Sequence, residues 1–308
     1  MDESFSPANH NVEVFLRGGL GNQLFQYAAG YALSRLQNSP LELRTDLLPS
    51  VRDDIAGISR WPESLSEFAH CGSLRSMRNQ PPGGTSFFSK RNSALRVLSD
   101  FTGELLPKAG FFYGDLDRDW AQIAKQNRAK KLSSYFISPD FAYEFEGDLR
   151  HQIVQVVRPS DDFMRSCEAI NGRMAVHIRL GDFETVNPKI RDEMLDYLRR
   201  ATKLARQLNP DPRGFALFSD QPDRAVEILE SLSKSTDIWM PPPGLRPIEE
   251  LNLIGKARGL IGSASTFSWW GGFLQTKGGA PIILPRPWEQ TLHTDKKNVL
   301  PKDWIQVG

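Results

Sequence analysis

The apolar positions change rhythm along the chain. V-E-V-F-L at 12–16 alternates as a short strand does, and Leu24, Tyr27, Ala28, Tyr31 and Leu36 then return at helical spacing. The segment R-G-G-L-G-N-Q stands between them, so the pattern predicts a strand, a glycine loop and a helix. Residues 49–110 show no period. They are rich in Ser, Arg, Asn and Gly, with P-P-G-G at 81–84 as a turn. A short helix over 62–68 and an element over 94–98 are all that the pattern suggests there. A helix over 145–157 leads to R-P-S-D-D, a proline and charge cluster that reads as the linker between two halves. Beyond Cys167 the rhythm is regular. Strand M-A-V-H-I-R at 174–179 precedes a helix over 191–208, whose Met194, Leu195, Leu198, Ala201, Leu204, Ala205 and Leu208 form one apolar face. Strands at 215–218, 237–240, 259–262 and 281–285 then alternate with helices at 223–232, 247–257 and 269–276. Such alternation predicts βαβ units and a parallel sheet, an α/β fold. There is no internal repeat.

Length supports two domains, since 308 residues is about twice the usual ~150. The expected division is 1–158 and 159–308. Lys plus Arg (38) nearly cancels Asp plus Glu (37), which argues against wholesale nucleic-acid binding and leaves room for a local basic pocket. Cys71 and Cys167 are too few and too far apart for a disulfide framework, so a reducing compartment is expected. The first ten residues lack a basic and apolar leader, and no run approaches the ~18–20 apolar residues of a membrane span. The expectation is a soluble, cytoplasmic protein.

The strand ends of a parallel sheet share one rim, where open α/β sheets hold ligands. Here the rim carries His177, Arg179 and Asp182, then Ser219 and Asp220, then Ser263, Ser265, Thr266 and Ser268. The last group precedes a helix, so hydroxyls and N–H groups there suit an anion, and an arginine fork suits phosphate oxygens. Asp220 could take donors from a purine or ribose. The same residues also fit helix caps and a solvated ion pair, and Trp269 and Trp270 fit a core. Near the start, Gly19 and Gly21 begin a G-x-G-x-x-G dinucleotide fingerprint that Leu24 breaks at its third position, while Glu42 and Asp46 lie at a tolerable distance. An NAD(P)-dependent oxidoreductase is therefore one alternative. Asn22 and Gln23 suit sugar hydroxyls, or cap the helix. Asp115, Asp117 and Asp119 are the residue types a hard cation wants, but they also suit the start of a helix, and no metal site is assigned. Phe87, Phe88, Phe111, Phe112 and Tyr113 fit a core or an acceptor groove.

Three motifs in register carry a resemblance: G-G-L-G-N-Q-L-F-Q-Y-A at 18–28, H-I-R-L-G-D-F at 177–183 and S-T-F-S-W-W-G-G-F-L at 265–274. With Y-F-I-S at 135–138, F-S-D at 218–220 and P-K-D-W-I at 301–305, the chain resembles the α-1,2-fucosyltransferases of glycosyltransferase family 11. The resemblance implies a GT-B-type enzyme, with two Rossmann-like lobes facing a cleft. The lobe 1–158 would take the acceptor and 159–308 the GDP-sugar. It implies GDP-fucose as donor, inverting transfer, no metal and no cofactor, and a galactose-containing acceptor glycan, which could be presented at a membrane surface. In this pattern Arg179 holds the β-phosphate and Ser265, Thr266, Phe267 and Ser268 meet the phosphates. His177 and Asp220 help with the nucleotide, Gly19, Gly21 and Gln23 form the glycine loop, and Asn22 lies near the reacting sugar. Asp182 is the candidate base, with Glu184 and His177 in reserve. Leu180 and Phe183 depart from the family's usual arginine and tyrosine, and E-L-N-L-I-G-K-A-R lacks its usual cysteine and histidine. A non-catalytic glycan-binding protein on the same fold is the other alternative. Oligomeric state is not legible.

Overall fold

A computed structural model describes residues 11–45, 48, 53–55, 58–60, 65, 68, 74–78, 111–113, 131–133, 135–157, 159–181, 188–209, 213–233, 237–275, 278–286, 288 and 299–308. The chain divides into two compact units. The first comprises 1–53, 60–152 and 292–299, and the second 54–59, 153–291 and 300–308.

The first unit is built on β1 (Val12–Phe15), β2 (Leu41–Arg44), β5 (Leu74–Arg78), β6 (Phe111–Tyr113) and β7 (Lys131–Ser133). These pair in the order β5-β2-β1-β7-β6, every pair parallel. Between them in sequence, β3 (Asp53–Ile55) and β4 (Ile58–Arg60) make a separate two-stranded sheet. Helix α1 (Leu20–Leu36) returns from the centre of the sheet and is buried from Leu20 to Ser34 except at Asn22. A helix apolar nearly all round belongs inside a core, which is where Phe25, Tyr27 and Ala28 put it. Strand β2, L-E-L-R, was not expected; its short apolar and polar alternation is hard to separate from a loop.

The predicted helix at 145–157 is α3 (Glu146–Gln155), and it is preceded by an unpredicted helix, α2 (Pro139–Glu144), capped by Ser138 with Pro139 inside its first turn. The S-D-D of the cluster R-P-S-D-D opens a further helix, α4 (Asp161–Ala169), because the Ser160 hydroxyl accepts from the Phe163 N–H at 3.1 Å.

The second unit follows the predicted alternation closely. Its strands are β8 (Met174–Ile178), β9 (Phe215–Ser219), β10 (Ile238–Trp239), β11 (Leu260–Gly262), β12 (Ile282–Pro285) and a final β13 (Ile305–Val307). Besides α4, its helices are α5 (Pro188–Leu208), α6 (Pro222–Ser233), α7 (Pro247–Lys256) and α8 (Thr266–Phe273). The sheet order is β10-β9-β8-β11-β12-β13, all parallel. Renumbered along the chain this is 3-2-1-4-5-6, the doubly wound dinucleotide-fold order. Met174, Val176 and Ile178 of β8 pack with Phe215, Leu217 and Leu198 in its core. Helix α8 begins earlier than its apolar run suggests, because Ser265 caps it. Trp269 and Trp270 are wholly buried, so both serve the core.

Candidate active site

In a doubly wound sheet the chain reverses its direction of travel between strands one and four, and a crevice opens at their carboxyl ends. Here those strands are β8 and β11, paired through Gly262 and His177. Arg179 leaves β8 and the Ser265–Thr266 start of α8 leaves β11 beside one another. The Arg179–Thr266 neighbourhood is therefore fixed by sheet topology.

His177 faces inward. It is 7% exposed, its Nδ1 lies 2.6 Å from the Ser268 Oγ, and its ring centroid is 5.1 Å from that of Phe267. Burial lowers its pKa to about 4, with Asp220 raising it and Arg179 lowering it to smaller extents, so the imidazole is neutral near pH 7. Ser268 is fully buried as well. The pair ties α8 to β8 beneath the rim.

The backbone beyond β8 is held by side chains. The Arg179 N–H donates to the Ser263 Oγ at 3.0 Å, and that hydroxyl donates to the His177 carbonyl at 2.8 Å. The next two N–H groups, of Leu180 and Gly181, donate to Asp220 Oδ1 and Oδ2 at 2.9 and 3.0 Å. Asp220, expected to meet a purine or ribose, thus engages one lone pair of each oxygen on this loop. A Cβ at Gly181 would lie 2.5 Å from Asp220 Oδ2, which explains the glycine. Leu180 is fully buried, so a leucine suits the place where the family usually has arginine. Three successive N–H groups are thus used internally, and the Arg179 side chain and the start of α8 are the expected anion-binding groups at this strand end. There Ser265 accepts from the Phe267 N–H at 3.2 Å, and Ser265 and Thr266 are buried. Asp182 and Glu184 lie outside the described residues.

The glycine loop of the first unit is organised by its own helix. Gly19 is the N-cap, with extended backbone and no side-chain cap, and Gly18 has φ +75°. A Cβ on Gly18 would meet Asn22 Nδ2 at 2.5 Å. Gln23 is fully buried and donates through Nε2 to the Gly18 carbonyl at 2.7 Å. Asn22 is half-buried in the first turn of α1, and Gly21 is buried beside it. Gln26 was not foreseen. Its Oε1 accepts from the Arg17 N–H at 2.9 Å and its Nε2 donates to the Arg17 carbonyl at 3.2 Å. The signal was present: an amide among the apolar positions of a buried helix needs partners.

The aspartates 115, 117 and 119, and the aromatics 87 and 88, fall outside the described residues. Among the described residues no group of three or more His, Cys, Asp and Glu could hold a metal ion, and no helix is long and apolar enough to cross a membrane. Phe111, Phe112 and Tyr113 form β6. Cys167 is a free thiol, half-buried.

A doubly wound parallel sheet with an arginine and a capped helix start at its reversal point defines a nucleotide-binding type of α/β enzyme site. The chain belongs to glycosyl transferase family 11, whose profile matches residues 118–308. It is a glycosyltransferase of that family. It is 25% identical over 309 aligned positions to an α-1,2-colitosyltransferase of Escherichia coli, covering 96% of this chain and 98% of that protein. It is also 25% identical to the O-antigen biosynthesis glycosyltransferase WbnK of Escherichia coli, over 95% of this chain and 99% of that one. An Arabidopsis thaliana FUT1 variant in complex with GDP superposes with a TM-score of 0.49 at 13% identity, over 92% of this chain and 71% of that chain.

Proposed function

We propose that the protein transfers fucose from GDP-fucose to a galactoside hydroxyl of a glycan, in α-1,2 linkage, with inversion and without a metal. The observation that carries this reading is Arg179 beside the start of α8, at the reversal point of the six-stranded sheet. In this reading residues 159–308 bind the GDP-sugar. Residues 1–158 serve the acceptor, and Asn22 in the first turn of α1 meets the reacting sugar.

Glycosyl transfer passes through an oxocarbenium-like state while negative charge grows on the departing diphosphate. A fixed cation and oriented N–H groups at that charge stabilise the transition state without reorganising. Arg179 and the Ser265–Ser268 turn fill that role. Asp182 takes the acceptor hydroxyl's proton. His177, buried and bonded to Ser268, fixes the strand end beneath the nucleotide.

Calorimetric titration with GDP-fucose, GDP and NAD, each with chelator present, tests the reading. GDP compounds bind and NAD does not. Arg179→Ala lowers kcat/KM by roughly 10²–10³-fold in a folded protein. Full turnover by that variant, or GDP binding only with a divalent cation, would overturn the assignment. A second reading, colitose as the transferred sugar, is favoured by the E. coli colitosyltransferase relative. Competition between GDP-colitose and GDP-fucose for turnover separates the two.

A further inference from the structure

We propose that Ser263 is a positioning residue for the transfer, acting through Arg179 and touching no substrate. This inference rests on the reading of Arg179 as the group that holds the donor's diphosphate.

Strand β8 ends with its neighbours on both sides, and each neighbour contributes a clamp. On one side the β11 strand ends at Gly262, and the ladder continues for one step as the Ser263 N–H donates to the His177 carbonyl at 3.1 Å. At the next step a side chain replaces the backbone. The Ser263 hydroxyl has one hydrogen, which goes to that same His177 carbonyl at 2.8 Å. Its lone pair receives the Arg179 N–H at 3.0 Å. On the other side Asp220, just past β9, takes the N–H groups of Leu180 and Gly181. The backbone on either side of the Arg179 Cα is therefore tied to two different strands. Ser263 is 6% exposed, so water does not readily replace its hydroxyl.

This matters because β8 stops at Ile178, and the Ser263 hydroxyl holds the first N–H beyond it. Its Cα position sets where the guanidinium fork can reach. Catalysis by a fixed charge depends on that placement, and a displacement of about 1 Å far from the chemistry can cost ~10²-fold in rate. Methyl in place of hydroxyl removes the acceptor of the Arg179 N–H at the first residue of the loop. The remaining core of the strand, Met174 to Ile178, stays packed.

The test is a set of variants in the full chain, read by steady-state kinetics and GDP calorimetry. Ser263→Ala lowers kcat roughly 10–100-fold, while the melting temperature falls by only a few degrees and the protein stays folded. Ser263→Thr, which keeps the hydroxyl, retains most of the activity. In an Arg179→Lys background, where the fork is already gone, adding Ser263→Ala brings little further loss, because both changes remove one function. Wild-type kcat in Ser263→Ala, or a full multiplicative loss in the Arg179→Lys background, overturns the proposal. Equal losses in the Ala and Thr variants also overturn it. The failure of the underlying reading looks different: Arg179→Ala would then bind GDP and turn over normally, whatever Ser263 does.

Discussion

The glycine loop after β1 and the H-I-R-L-G loop after β8 do the same structural job by opposite means. Each leaves the carboxyl end of a central parallel strand and must satisfy backbone groups that no longer face a neighbouring strand. The first is held from within. Gln23 and Gln26 lie five and nine residues from the carbonyls and N–H they bind, on the helix that the loop itself enters. The second is held from outside, by Asp220, Ser263 and Ser268, which lie 39 to 91 residues away on other elements. A locally held loop forms with its helix. A remotely held loop takes its shape only once the sheet has assembled, so its geometry reports on the whole unit.

The largest effect should come from breaking the local arrangement. Gln26→Leu removes the two hydrogen bonds that a fully buried side chain makes to the Arg17 N–H and carbonyl. Each buried polar group left unpaired costs about 1–3 kcal/mol, so a loss of roughly 2–5 kcal/mol is expected. Urea unfolding of the variant and the wild type measures it. Hydrogen exchange should show the loss concentrated at Arg17 and the start of α1, with the β8 strand end unchanged. A loss under about 0.5 kcal/mol, of the size of an ordinary surface substitution, would mean that the loop does not depend on this amide.

Legibility followed the same division. Motifs that are contiguous in sequence and short in range could be read: strand, glycine loop and helix at 12–36, and nearly every element from β8 to β12. The parallel sheet followed from alternation alone, but its 3-2-1-4-5-6 order did not, since periodicity says nothing about which strand lies beside which. That order is what brings Arg179 next to Ser265. The six-residue helix α2 was lost because Pro139 reads as a break, although it sits in the first turn where proline is tolerated. Asp220 and Gln23 were recognised as special residue types but given ligand roles, because a sequence cannot show that a carboxylate or an amide has found backbone partners. Ser263 stood on the expected rim among the hydroxyls suited to an anion for the same reason.

The next prediction sharpens the contrast through pH. Amides hold the first loop and do not titrate, whereas the second has a buried imidazole beneath it. Burial lowers the His177 pKa to about 4 from an unfolded value near 6.5. Between those values the unfolded chain binds more protons than the native one. The stability contribution is therefore complete above pH ~6.5 and is lost as pH falls toward 4, on the order of 2–3 kcal/mol for such a shift. In hydrogen exchange the amides of Arg179, Leu180 and Gly181 should lose protection between pH 6.5 and 4.5 relative to that of Arg17, after correction for intrinsic rates. His177→Gln, which can still bond Ser268, should flatten this dependence. The same slope in variant and wild type would remove His177 as its source.

The smallest effect tests whether titratable strain in the second unit is confined to that strand end. Glu250 lies in the first turn of α7, which follows β10, and its pKa is raised to about 7 by burial and, less, by Glu249. Glu249 is committed elsewhere, accepting the Arg246 N–H at 2.7 Å. A raised folded pKa means the native state binds more protons between about 4.5 and 7. The favourable contribution is then present below pH 4.5 and lost as pH rises through 7. The positive end of the α7 dipole favours the ionised carboxylate and opposes the shift, so the effect should be about 1 kcal/mol. Glu250→Gln should thus be more stable than wild type at pH 8 and indistinguishable from it near pH 4. Because this slope runs opposite to that of His177, the two variants displace the pH–stability curve at different ends. Equal stability of Glu250→Gln and wild type at pH 8 would leave His177 as the principal buried titrating group of this sheet.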